Sequence, residues 1–368
     1  MFLALRDLRH ARGRFTLMTV VLVLVTVLVT FLSSLTAGLA RASTSAVTDL
    51  PADRLAFAEP AGAALSFTGS QVSRAQWQAW GARADVSRAE PLGVATVRAS
   101  APGAGGTTEA VTAYGVLPGS RLVPAGRGDD VRAGTVVLSR GAASDLGAGA
   151  GDTVDVQGRS LRVAAVAASD AEFSHTPVVW VGLDTWQSFG AHGGEARATG
   201  PVATVVALWT SADDTALAAG DAAAGTQTVT LPEARSAVSS FTAENLSLTA
   251  MQAFLLAISA LVVGAFFTVW TMNRAGDLAV VKALGGSTAS LVRDALGQAV
   301  LVLVAGVGVG AALAACAAAL ARDAIPVVLD AATFGVPAAL LVALGTVGAA
   351  AAVWRIARID PHAALQAR

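Results

Sequence analysis

Long uncharged runs and short alternating runs divide the chain between them. Residues 15–40, 245–273, 295–321 and 331–354 contain no charged side chain, and each exceeds the about 20 apolar residues with which an α-helix crosses a bilayer. The first, FTLMTVVLVLVTVLVTFLSSL, follows arginines and precedes small residues, as a signal peptide does. It is longer than the about 7 to 15 residues of a cleaved apolar region, and so predicts a retained helix.

Residues 41–244 follow a different rhythm. The β-rich runs VATVRAS, TVVLS, DTVDVQGRSLRVAAVA, TPVVWVGL and VATVVALW alternate with RAQWQAWGAR and ADDTALAAGDAAA, which have helical character. The mixture predicts an α+β domain. Gln157 and Gly158 suit a hairpin turn inside the longest β run. Ala99 to Glu109, rich in Gly and Ala, reads as a mobile loop that divides two subdomains. This region has no cysteine, so core burial alone must stabilise it, and about 200 residues supply enough.

Composition agrees with a membrane protein. Apolar residues make up 54% of the chain and charged residues 14%, mean hydropathy is +0.61, and soluble domains carry about 25% charged residues. A formal net charge of -1 gives no reason to expect nucleic acid. The placement of charge says more. Arg6, Arg9, Arg12 and Arg14 precede the first uncharged run; Arg274, Lys282 and Arg293 lie between the second and third; Arg355, Arg358 and Arg368 follow the fourth; Arg322 alone lies between the third and fourth. Positive flanks face the cytoplasm. The expected organisation in the cell membrane is therefore a cytoplasmic interfacial helix at 1–14, membrane helices at 15–40, 245–273, 295–321 and 331–354, an extracytoplasmic α+β domain at 41–244, a cytoplasmic segment at 274–294, an extracytoplasmic turn at 322–330 and a cytoplasmic tail at 355–368. The apolar and arginine-rich faces of MFLALRDLRHARGRF suit a helix lying on inner-leaflet lipids.

Helix packing is also written in the runs. Gly306, Gly310, Ala314 and Ala318 fall four residues apart, and Gly345 and Ala349 repeat the spacing, so another helix can approach closely. Intramolecular packing is the plainer use of this stripe, a dimer seam the sharper one. Thr19, Thr26, Ser33 and Thr30 place hydroxyls where they could bond across a helix interface.

Catalytic chemistry is hard to find. A phosphate-binding Walker A loop needs a lysine followed by Ser or Thr, but Lys282 is the only lysine and Ala283 follows it. Any ATP-driven work therefore needs a partner. GAGAGD and GVGVG do not complete G-x-G-x-x-G. His10 and His362 fall on the expected inner side, His175 and His192 on the outer, so no single zinc site gathers all four. Cys316, the one cysteine, lies in an Ala-rich run and reads as packing. No enzyme active site and no intrinsic cofactor are expected.

NRAGDLAVVKALGGSTASLVRDALGQA, with apolar Leu278, Val281, Leu284, Leu291 and Leu296 around Gly285 and Gly286, reads as a helix, a turn and a returning helix. A solvated positive loop would carry the same charge. The stretch resembles the cytoplasmic coupling element of the FtsX-like and MacB-like ABC transporter permeases at Arg274, Asp277, Leu278, Lys282, Ala283, Leu284 and Gly285, although the family's acid is usually Glu. The tail RIARIDPHAALQAR, with Asp360, Pro361, Ala364 and Leu365, resembles that family's ending, and the order of one helix, a large domain and three helices resembles it over the whole chain. The resemblance implies a permease without ATPase activity of its own. Two copies, as a homodimer, would pair with a dimer of ABC ATPase subunits that bind ATP and push on Arg274 to Asp294. Mechanotransmission to the outer domains would follow.

The start MFLALRDLRHARGRFTL with FLSSLTAGLARAS is similar to the Hrt-type haem-exporting permeases and their DevC-like relatives. This narrower resemblance implies efflux of haem, held in the outer leaflet between helices one and two of the dimer. It transfers no ligand set. By position near the outer end of helix two, Glu244 and Met251 are the candidate haem-iron ligands and Phe241 and Phe254 the candidate porphyrin neighbours, while Arg41, at the end of helix one, is the candidate partner of the propionates. The plainer reading makes Met251 and Phe254 lipid-facing or packed and Arg41 an interfacial anchor. Other functions fit the same architecture: export of a lipid, lipoprotein or membrane-active peptide, or an FtsX-like relay that regulates a cell-wall hydrolase.

Overall fold

The computed structural model describes residues 12–59, 64–102, 108–190, 202–273, 288–322 and 324–357. The expected interfacial helix before residue 12, the tail motif Asp360 to Leu365, His192, and the segment 274–287 lie outside the described residues. The chain opens in a long helix α1 (Arg12–Thr48), then runs through β1 (Arg54–Ala58), β2 (Val72–Ser73), α2 (Arg74–Gly81), β3 (Val86–Ser100), β4 (Thr108–Val116), β5 (Thr135–Leu138), α3 (Arg140–Leu146), β6 (Thr153–Val156), β7 (Arg159–Val166), β8 (Glu172–Phe173), β9 (Thr176–Gly182), α4 (Leu183–Gln187), β10 (Val202–Ala203), β11 (Val205–Thr210), α5 (Asp214–Ala224), β12 (Thr226–Thr230) and α6 (Leu231–Ala234). It closes in three long helices, α7 (Ser239–Asn273), α8 (Thr288–Ala321) and α9 (Ala331–Ala357). Two compact units result: Met1–Leu39 with Leu246–Arg368, and Ala40–Asn245.

Within Ala40–Asn245 ten of the described strands form a mixed sheet in the order β12-β1-β11-β3-β4-β9-β5-β7-β6, with β8 beside β9, and β2 pairs β10 in a separate two-stranded sheet. The β4–β9 and β5–β7 pairs are parallel. The end of the long β3 also pairs β6, at Ala99↔Val156, which closes β3, β4, β9, β5, β7 and β6 into a ring. Gln157 and Gly158, both at positive φ, make the tight turn between β6 and β7. The stretch from Ala99 to Glu109 departs from expectation. β3 and β4 pair right up to Ser100↔Thr108, so it connects two neighbouring strands of one sheet and divides nothing.

Side chains alternate between the two faces of the strands. Val179 and Val181 of β9 enter a core with Trp80 and Trp186, whereas Val178 and Trp180 enter a second core with Phe57, Tyr114 and Leu122. Trp186 needs glycine beneath it: a Cβ at Gly93 would stand 2.4 Å from its ring, and one at the paired Gly115 2.5 Å from its side chain. Local chemistry starts the helices. Ser73 caps α2 in a reciprocal box with Gln76, and Asp213 caps α5, which ends on the left-handed Gly225.

In the other unit, α1, α7, α8 and α9 are each long and apolar enough to cross a membrane. Their packing uses the small-residue stripes. A Cβ on Gly306 would meet Leu22 at 2.6 Å, one on Gly310 Thr26 at 2.6 Å, and one on Gly345 Leu303 at 2.7 Å. Ala314, Ala318 and Ala349 are fully buried. Gly306 and Gly310 therefore serve an intramolecular seam with α1. The hydroxyls behave otherwise than expected. Thr26 donates to the Leu22 carbonyl at 2.7 Å and Thr30 to that of Thr26 at 2.6 Å, both within α1. The i−4 carbonyl is always in reach of a helical threonine. Bonds between segments come instead from Ser34, which donates to the Val328 carbonyl at 2.8 Å, and from Gln252, which donates to Thr36 at 3.1 Å.

Candidate functional site

Within Ala40–Asn245, polar side chains meet around the two-residue turn between β8 and β9. Phe173 pairs with Thr176, leaving Ser174 and His175 as the turn, with φ of 52° and 62°. Such a turn favours Asn-Gly, because left-handed backbone costs an ordinary L-residue about 1–2 kcal/mol. Tertiary bonds hold it in place. The Ser174 amide donates to the Ser43 carbonyl at 2.9 Å and the His175 amide to the Ala42 carbonyl at 3.2 Å. Ser45 Oγ accepts from the Glu172 amide at 3.0 Å.

Side chains extend the same clasp. Ser174 Oγ donates to Ser240 Oγ at 2.8 Å. His175 Nε2 lies 2.8 Å from Ser43 Oγ and 2.9 Å from Glu244 Oε2. The turn thus bonds to the end of α1 and to the start of α7. Ser43, His175 and Glu244 do not form a nucleophilic relay, because that needs hydroxyl and carboxylate on opposite ring nitrogens. Here both use Nε2. Half-burial desolvates the carboxyl of Glu172 and raises its pKa above the ordinary glutamate range; nearby His175 opposes the rise, Asp145 and Asp170 add to it.

Of the residues expected from sequence, one belongs to this clasp. Glu244 joins it. Arg41, exposed, pairs with Asp49 at 3.2 Å. Phe241 packs against the Trp180 core with the Arg235 guanidinium 5.5 Å over its ring. Met251 and Phe254 lie exposed on α7, 52% and 71% accessible. Arg274, Asp277, Leu278, Lys282, Leu284 and Gly285 lie outside the described residues. His175 carried one signal in the sequence, its place on the outer side, and nothing there tied it to Glu244.

With four membrane-length helices and a large mixed-sheet domain inserted after the first, family comparison decides the class. The model of the MacB-like periplasmic core domain matches residues 15–225, and that of the FtsX-like permease C-terminal region matches 249–361. The chain belongs to the MacB/FtsX-like family of ABC transporter permeases. Its large domain is extracytoplasmic, and a permease of this class implies an ATPase partner subunit. Uncharacterized ABC transporter permeases of Mycobacterium bovis and Mycobacterium tuberculosis are 27% identical over 98% of this chain and 98% of theirs. Among solved structures, the periplasmic region of MacB from Actinobacillus actinomycetemcomitans is 10% identical, covers 50% of this chain and 90% of its own, and has a TM-score of 0.35. The extracellular domain of YknZ, a noncanonic ABC-type transporter from Gram-positive bacteria, is 15% identical, covers 48% and 98%, and has a TM-score of 0.34.

Proposed function

We propose that this permease, as a homodimer with both termini in the cytoplasm, uses ATP hydrolysis by a separate subunit to export a hydrophobic substrate from the membrane, and that the substrate is haem. The observation that supports the cargo is the contact of imidazole and carboxylate, His175 Nε2 with Glu244 Oε2, whose side chains are 34% and 42% exposed. Imidazole is a common axial ligand of haem iron. Binding iron at Nε2 would exchange the Ser43 and Glu244 bonds for a metal bond. The segment 274–294, through Arg274, Asp277, Leu278, Lys282, Leu284 and Gly285, receives the push of the ATPase.

Purification with the partner ATPase, followed by an absorbance scan, tests the cargo. A Soret band that is lost in His175→Ala/Glu244→Ala is expected. No band after incubation with haem, or one unchanged in these variants, contradicts haem.

The same clasp supports a second reading. Bonds from Ser174 and His175 to Ser43, Ser240 and Glu244 suit delivery of helix movement to the sheet, which is what a relay to a cell-wall hydrolase would use. In reconstituted membranes, ATPase stimulation by haem favours export. Stimulation by a lipid, lipoprotein or peptide moves the cargo to that class, and stimulation solely by an external protein favours the relay.

A further inference from the structure

Opposite sides of α8 use their glycines differently. Gly306 and Gly310 are pressed against Leu22 and Thr26, whereas a Cβ on Gly297 would meet nothing within 4 Å. Glycine is unfavourable inside a helix, and in a bilayer its use is to let another body come close. No described residue does so at Gly297. The room it leaves belongs to a groove of about 630 Å³ along α8, lined among the described residues by Arg293 at one end and then by Gly297, Leu301, Val304 and Ala305, with only aliphatic side chains besides. That volume falls in the about 300–1,000 Å³ range of ligand sites.

The dimensions and the charge of the groove suit one kind of molecule. From Arg293 to Ala305 a helix rises about 18 Å, close to the about 15 Å of hydrocarbon in one leaflet. Arg293 lies just before the apolar span Ala295–Ala321, where a helix passes the headgroups. It is exposed and has no ion pair among the described residues. A lone cation at the end of an aliphatic groove complements a molecule with an anion at its head and a hydrocarbon chain behind it, and basic pockets at this level of membrane helices bind acidic headgroups. A second copy of the chain fits less well. About a two-fold axis along the membrane normal the same patch meets itself at equal depth, so α8 packed on its own copy would bring two unpaired arginines together. A zwitterionic lipid gains less than an acidic one, because it brings a cation with its phosphate.

We propose that this groove binds one anionic phospholipid, with its phosphate on the Arg293 guanidinium and an acyl chain laid over Gly297 along Leu301, Val304 and Ala305. The site is separate from the His175 clasp and goes beyond the export reading. Binding here needs neither ATP nor a partner subunit, so its failure leaves that reading untouched.

The probes are phosphatidylglycerol and phosphatidylcholine, each with a photoreactive group on one acyl chain, present as minor components of phosphatidylcholine vesicles that hold the full chain. Adducts are mapped by peptide mass spectrometry, and the exposed Val269 and Met272 of α7 report contact with bulk lipid. Phosphatidylglycerol should label residues 297–305 about fivefold more than phosphatidylcholine does, the worth of one arginine beside acidic lipid. On α7 the two probes should label alike, and unlabelled phosphatidylglycerol should compete on α8 alone. Arg293→Gln should bring the two probes level on α8. Gly297→Leu, which fills the groove, should lower phosphatidylglycerol labelling there several-fold. Both positions are exposed, so the fold should tolerate the changes, and unaltered α7 labelling checks that it does. Equal labelling of α8 by the two probes in the parent overturns the proposal and marks bulk lipid. So does a preference that survives Arg293→Gln, or labelling unchanged in Gly297→Leu. A disulfide between two Gly297→Cys copies in a Cys316→Ala background, in place of lipid adducts, overturns it in favour of a second copy.

Discussion

His175 Nε2 stands 2.9 Å from Glu244 Oε2, which ties a strained hairpin turn to the first turns of α7. Both side chains are partly exposed, so the contact itself is worth about 0.2–1 kcal/mol. A double-mutant cycle of His175→Ala and Glu244→Ala, read by thermal unfolding, should return a coupling of that size. The backbone adds a separate expectation. At φ 62° alanine is strained and glycine is not, so His175→Gly should be the more stable of the two replacements by about 1 kcal/mol.

Glu172 predicts a pH dependence. Its pKa is raised in the folded domain, chiefly by desolvation. The folded state therefore holds the proton more tightly than the unfolded state, and stability falls as pH rises from the unfolded value through the folded one. Below both values the penalty is absent. Glu172→Gln should remove this loss, so the variant gains on the parent as pH climbs from 4 to 7. Unfolding midpoints of the two proteins across that range check it, and a constant difference would contradict it.

Gly310 predicts a packing effect. Its absent Cβ would press on Thr26 at 2.6 Å and on the Val23 carbonyl at 2.9 Å, whereas a Cβ on Gly308 meets nothing within 4 Å. Gly310→Leu should cost about 1–3 kcal/mol through overpacking and lower the unfolding midpoint in detergent. Gly308→Leu should leave it near the parent. Equal effects would place the stripe outside the α1 seam.

Trp186 and Gly93 predict the same on the sheet. Gly93→Ala drives a methyl to 2.4 Å from the indole, and about 1–3 kcal/mol of stability should go with it. Trp186→Leu combined with Gly93→Ala should cost less than the sum of the two, because the smaller side chain leaves room.

These residues also show what the sequence could and could not reveal. The four helices were legible because a run without charge of that length has one stable use. The Gln157–Gly158 turn was legible because local chemistry sets it. The Ser174–His175 turn was not, since neither residue prefers left-handed backbone and the bonds that hold it come from Ala42 and Ser43, over 130 positions away. Tyr114 and Trp180 meet only through a parallel pairing that no local pattern announces. The hydroxyls of α1 misled because threonine satisfies itself on its own helix. In the candidate site, position alone picked out Glu244 but could not show that Asp49 engages Arg41 or that Phe241 packs into the domain core.

Export and relay both require that the segment receiving the ATPase and the sheet domain lie on opposite sides of the bilayer. Cys316 is the one cysteine, so a Cys316→Ala background carrying either Lys282→Cys or the exposed Arg159→Cys can be labelled in intact cells with a membrane-impermeant maleimide. The account predicts that the cysteine at 159 reacts from outside and the one at 282 reacts after the membrane is opened. Labelling of both from the same side would contradict it.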